Sequence, residues 1–173
     1  MNDNYRVLSM VILPVLLAGI LWAFASPGRV GMTWDEAYYY PTYVDVAEWT
    51  SQLFTNPEEA FSEDGIRAGW QEIHELPPVV KWLGAFSVSL GGEGWGILWR
   101  MRLIPAAAFG LCLLLLYLVA RRLMPDPWAL LPPLMYLLHP RILGHAQVAA
   151  TETVFAAVNL FVLWAALHDL GKW

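Results

Sequence analysis

The fold class predicted for this chain is all-α: a polytopic helical membrane protein with about four transmembrane helices and a long first loop. Three observations predict it. Hydrophobic residues make up 58% of the 173 residues and charged residues only 14%, against roughly 25% charged in an average soluble domain. Two uncharged runs, Val7 to Ala25 and Leu103 to Ala120, are 19 and 18 residues long, enough to cross a hydrocarbon core about 30 Å thick. The 10 tryptophans suit aromatic anchoring at membrane–water interfaces. The whole of 1–173 is read as one membrane domain. Cys112 stands alone in an apolar run, which rules out an internal disulfide and suits a small buried side chain. The net charge is −5, and the acids gather between Asp35 and Glu93. That distribution argues against a nucleic-acid partner.

The first membrane helix is placed at 7–25. A signal peptide is the rival, with Arg6 ahead of the run and Ala23-Phe24-Ala25 as a cleavage site. The apolar run exceeds the usual 7–15 residues of a signal core, which favours an uncleaved helix. Pro14 predicts a kink within it. Residues 26–102 form the long loop, too long to lack structure of its own. Tyr39 to Phe54 has the spacing of a short amphipathic helix lying in the interface plane. Asn56 as N-cap, Pro57 at the first helical position and Glu58-Glu59 in the first turn predict a second helix to about Trp70. Leu76-Pro77-Pro78 breaks the chain, Val79 to Leu90 forms a third helix, and Gly91-Gly92 stops it. The second membrane helix is 103–120, bracketed by Arg100, Arg102, Arg121 and Arg122. Asp126-Pro127 opens the third, 127–139, which is short for a span and bent at Pro132-Pro133. The fourth is 145–168, with His145, Gln147, Glu152 and Asn159 as its main polar residues. Cations near the membrane are equally numerous on both faces, so charge does not set the topology.

Three stretches carry chemistry. In Thr33-Trp34-Asp35-Glu36, ahead of Tyr38-Tyr39-Tyr40, Thr33-x-x-Glu36 fits a capping box and Asp35 suits a helix N-terminus. The functional alternative makes one of the paired acids a general base. Two adjacent carboxylates repel, so one holds a raised pKa or shares a metal. Both readings stand together. In His74-Glu75-Leu76-Pro77-Pro78-Val79-Val80-Lys81, Lys81 falls in a first helical turn, where it meets a phosphate or snorkels to the interface. In His139-Pro140-Arg141-Ile142-Leu143-Gly144-His145 with Thr151-Glu152, Arg141 suits a phosphate and Glu152 is a costly acid near the membrane. Glu152 either serves a site or pairs with Arg141. His139, His145 and Glu152 lack a specific metal-ligand spacing, and no metal site is assigned. A transporter needs polar residues strung along its spans, and 103–120 offers only Tyr117.

The order of these motifs resembles the GT-C glycosyltransferases: first membrane helix, Asp-Glu pair, long loop with Pro-Pro-x-x-Lys, arginines at a membrane helix, then Pro-Arg-x-x-x-His and Thr-Glu. More narrowly it is similar to the protein O-mannosyltransferase and lipid A aminoarabinose-transferase-like group, over about residues 7–168. The resemblance implies transfer of a sugar from a polyprenyl-phosphate donor to an acceptor at the extracytoplasmic membrane face. It implies Asp35 as catalytic base supported by Glu36. Lys81 would bind the donor phosphate, and Arg100, Arg102, Arg141, His145 and Glu152 would complete the substrate site. It also implies a bacterial inner-membrane location with the long loop outside and the N-terminus in the cytoplasm. No cofactor is expected, and a divalent metal is left open. Members typically have His before Pro-Pro, where Leu76 stands here, and often Asp in place of Glu152. They also carry many more membrane helices. The alternative is therefore a non-catalytic subunit or fragment that pairs with a partner membrane chain.

Overall fold

The computed structural model describes residues 16–23, 25, 31–70, 76–90, 96–125, 128–149 and 151–170. Among these, all regular structure is helical. The chain divides into two compact units, Gly28–Ile104 and the pair Met1–Pro27 with Pro105–Trp173. The Pro14 kink, His74, the Gly91-Gly92 stop and the Asp126-Pro127 opening lie outside the described residues.

In the unit Gly28–Ile104, α1 (Trp34–Thr55) is the long helix. It starts a turn and a half before Tyr39, because the capping box at Thr33 sets its origin: the Thr33 hydroxyl accepts from the Glu36 N–H and the Glu36 side chain accepts from the Thr33 N–H. Pro41 therefore lies inside the helix, and its missing N–H removes one ladder bond. Asn56 stands at the N-cap of the next helix, as expected, but its side chain makes no capping hydrogen bond. Its own N–H donates to the Gln52 carbonyl at 2.8 Å and closes α1. Pro57 does open α2 (Pro57–Ala60), but the second helix breaks at Phe61-Ser62 and restarts as α3 (Glu63–Trp70). Ser62 makes that restart, its hydroxyl accepting from the Gly65 N–H at 3.0 Å, the role of an N-cap serine.

Helix α4 (Pro78–Ser89) begins at the Pro-Pro break and packs against α1. The two approach closely because Gly84 offers no side chain: a methyl there would collide with the Tyr43 ring. Gly69 in α3 faces the Trp49 side chain in the same way. Trp49 is the centre of an aromatic cluster. Its ring lies edge-on to Trp70 at 5.3 Å, Trp82 at 6.2 Å and Phe61 at 6.3 Å, geometries favoured by the ring quadrupole. Its Nε1–H donates to the Ala60 carbonyl at 2.8 Å.

Helix α5 (Ile97–Leu123) extends the predicted 103–120 run at both ends. Its 27 residues span about 40 Å at 1.5 Å per residue. In the unit of Met1–Pro27 with Pro105–Trp173, residues 16–23 are helical. Leu16 and Ala23 pack with Ala106, Phe109, Leu113, Leu130, Leu137 and Ala146. Gly19 admits Leu137, and Gly110 lies near Ile20, the small-residue contacts that let helices approach.

The expected bent helix at 127–139 is instead a 3-10 turn, Trp128–Leu130, running into α6 (Leu131–Leu138). Pro132 and Pro133 stand in the first turn of α6, where their missing N–H groups cost nothing. The stretch 145–168 is not one helix either. α7 (Pro140–His145) ends in a turn at 146–149, and α8 (Thr151–Leu170) follows.

Among the described residues, two helices are long and apolar enough to cross a membrane, Ile97–Leu123 and Thr151–His168. A helix at the core of a soluble protein is mostly buried, yet only 17% of the apolar window of Thr151–His168 is buried by the chain. Phe155, Val158, Phe161, Val162 and Leu163 are exposed along it.

Candidate functional site

The paired acids at the start of α1 point to opposite environments. Successive residues on a helix are about 100° apart, so Asp35 is exposed while Glu36 is fully buried. Burying a carboxylate requires a charge partner, and Arg102, also fully buried, supplies it. Arg102 Nε donates to Glu36 Oε1 at 2.6 Å and Nη2 donates to Oε2 at 2.6 Å. This two-pronged pairing is the strong form of a charge-assisted bond. Arg102 Nη2 also donates to the Gly31 carbonyl at 2.9 Å. Glu36 Oε2 accepts from the Thr33 N–H at 2.9 Å and the Thr33 hydroxyl at 3.1 Å. The network joins Gly31, Thr33, the first turn of α1 and α5 within one unit, and it holds Asp35 at the helix N-terminus, where a negative charge is favoured. Behind it, Tyr43 is buried. Burial first, then the neighbouring Tyr39 and Glu36, push its phenol well above the ordinary tyrosine value.

The other candidates of this unit lie in separate surroundings. Lys81 is 4% exposed, and its ammonium donates to the Trp70 carbonyl at 3.2 Å. Burial lowers its pKa. Arg100, two residues from Arg102, donates from Nη1 to the Val88 carbonyl at 3.2 Å, and its buried Nε has no hydrogen-bond partner among the described residues. Ser87, fully buried, donates its hydroxyl to the Arg100 carbonyl.

In the other unit, Arg141, His145 and Glu152 lie close together. They line one cleft of about 300 Å³ with Tyr136, Ile142, Thr153 and Ala156. His145 Nδ1 lies 3.8 Å from Glu152 Oε2 and has no hydrogen-bond partner among the described residues. Arg141 is exposed at the rim. Gln147 is buried and donates to the Leu143 carbonyl at 3.3 Å. No group of three or more His, Cys, Asp or Glu gathers among the described residues.

Two functional features escape sequence reading. The Glu36–Arg102 pair spans 66 positions, and its one sequence signal is an arginine abutting an 18-residue uncharged run, which needs a counter-charge. The burial of Tyr43 is the other, signalled only by Gly84 opposite it.

No family model, no curated protein and no solved structure matches this chain.

Proposed function

We propose that the chain is the N-terminal portion of a membrane-embedded glycosyltransferase that moves a sugar from a polyprenyl-phosphate donor to an acceptor at the extracytoplasmic face, with the two long apolar helices in the bilayer of a bacterial inner membrane. The observation that carries this reading is the split of the acid pair. Glu36 is locked by Arg102, and Asp35 stands exposed on the helix turn so braced. Of the two carboxylates, only Asp35 is open to an acceptor.

In the proposed reaction Asp35 takes the proton from the acceptor nucleophile. The nucleophile's electron pair forms the new bond to the anomeric carbon. The bond from that carbon to the phosphate oxygen breaks, and polyprenyl phosphate leaves with its electron pair, inverting the centre. Glu36 and Arg102 position the base. Lys81 is the candidate for the donor phosphate. An anion at Lys81 offsets the desolvation that lowers its pKa.

The test is sugar transfer from a labelled polyprenyl-phosphate donor in membranes containing this chain. Asp35→Asn is expected to abolish transfer while leaving stability within about 0.5 kcal/mol, the scale of a surface charge at a helix end. Transfer that survives the substitution removes Asp35 from the chemistry. A second reading is favoured by the exposed apolar side of α8: the chain is a subunit that pairs with a partner membrane chain. Transfer that appears only on co-expression of a partner selects it.

A further inference from the structure

The first turn of α5 borders a cleft of about 350 Å³, lined in part by Tyr40, Glu48, Ser51, Val88, Ile97 and Arg100. It belongs wholly to the unit Gly28–Ile104 and holds neither Glu36 nor Arg102. Arg100 and Glu48 bring opposite charges to this one cleft, yet neither forms an ion pair among the described residues. The Arg100 Nε is buried from water and has no hydrogen-bond partner among the described residues. Val44, Ala47, Val88 and Ile97 make much of the lining apolar. Arg100 also lies three residues before Leu103, where the uncharged run of α5 begins, which sets the cleft at headgroup level if α5 crosses the bilayer.

We propose that this cleft is a binding site for a zwitterionic phospholipid headgroup bearing a primary ammonium, such as phosphatidylethanolamine. The phosphate accepts from the Arg100 guanidinium, the ammonium donates to the Glu48 carboxylate, and the apolar lining receives the glycerol end of the chains. One cation and one anion held apart in a single cleft match a ligand carrying both signs. An anionic lipid meets Glu48 as a like charge. A choline headgroup has no N–H to donate to Glu48. The inference rests on the reading of α5 as a membrane helix, though not on glycosyl transfer.

The experiment is native mass spectrometry of the full chain released from detergent, offered equal amounts of phosphatidylethanolamine, phosphatidylcholine and phosphatidylglycerol. Phosphatidylethanolamine is expected to be retained about tenfold over the others, the worth of one charged hydrogen bond. Glu48→Gln, at an exposed position, is expected to erase that preference. Arg100→Lys, which keeps the charge and loses the planar guanidinium, is expected to weaken retention of all three. Equal retention by the wild-type chain, or a preference unchanged in Glu48→Gln, overturns the site. Saturable binding of soluble phosphoethanolamine with no lipid retained assigns the cleft to a free small molecule and overturns the lipid assignment. Extraction of the chain from membranes by alkaline carbonate overturns the membrane reading itself. Retention in the carbonate pellet with equal lipid binding overturns the headgroup site alone.

Discussion

Glu36 shows how a residue's neighbours in space outrank its neighbours in sequence. Beside Asp35 it reads as half of an acidic pair; in the fold its charge is spent on Arg102. Removing one partner of a buried ion pair strands the other charge, which costs about 3–5 kcal/mol, whereas replacing both with apolar residues is often close to neutral. Glu36→Gln is therefore expected to lower stability by about 3 kcal/mol, and Glu36→Leu with Arg102→Met to recover most of it, as read by denaturant unfolding in detergent. A double variant that loses as much as Glu36→Leu and Arg102→Met summed would show that the pair has no pairwise coupling. Tyr43 gives a pH test. Its folded-state pKa is raised above the ordinary 10.0, so its contribution to stability is complete below pH 10.0 and is lost as pH rises above it. Relative to Tyr43→Phe, the wild-type chain is expected to lose about 1.4 kcal/mol for each pH unit above that value. Parallel unfolding curves for the two chains above pH 10.0 would contradict the burial of the phenol.

At the level of helices, the local signals in the chain translate into starts and stops, and the tertiary contacts set where the helices touch. The capping box at Thr33, the proline at the head of α2 and the Pro-Pro break before α4 are all legible from residue type, because each acts on backbone groups within four positions. Ser62 carries the same kind of signal, and the Ser-Glu-Asp-Gly stretch explains why the second helix is two. Gly84 is different. Its value lies in the Tyr43 ring opposite, which no local pattern announces. Gly84→Ala is expected to cost about 1–3 kcal/mol through overpacking. Gly144, in α7, meets nothing within 4 Å. There Gly144→Ala is expected to stabilise by up to about 1 kcal/mol from helix propensity alone. Thermal unfolding of the two variants checks both signs, and a neutral Gly84→Ala would mean that α1 and α4 separate at no cost.

For the molecule as a whole, the apolar runs govern insertion. Leu114 lies midway along the uncharged run of α5 and is exposed. If that face meets lipid, Leu114→Arg is expected to cost about 2.5–3.5 kcal/mol of insertion free energy, read as the inserted fraction in a translocation assay. Insertion equal to wild type would place that face against water or protein. Composition and run length alone settled that this chain is helical and where its long apolar stretches lie, because helix hydrogen bonds and hydrocarbon length are properties of contiguous sequence. The capping box and the prolines marked the starts of α1, α2 and α4 for the same reason. Which charges meet was decided by the tertiary structure. Arg100 and Arg102 stand two positions apart, yet one is closed on Glu36 and the other opens on a cleft with Glu48. Asp35 and Glu36 are adjacent, yet one is exposed and one fully buried. These outcomes depend on which distant segment covers each face of a helix. A single sequence carries no local mark of that choice, since the desolvation and pairing that decide it exist only once the segments have met.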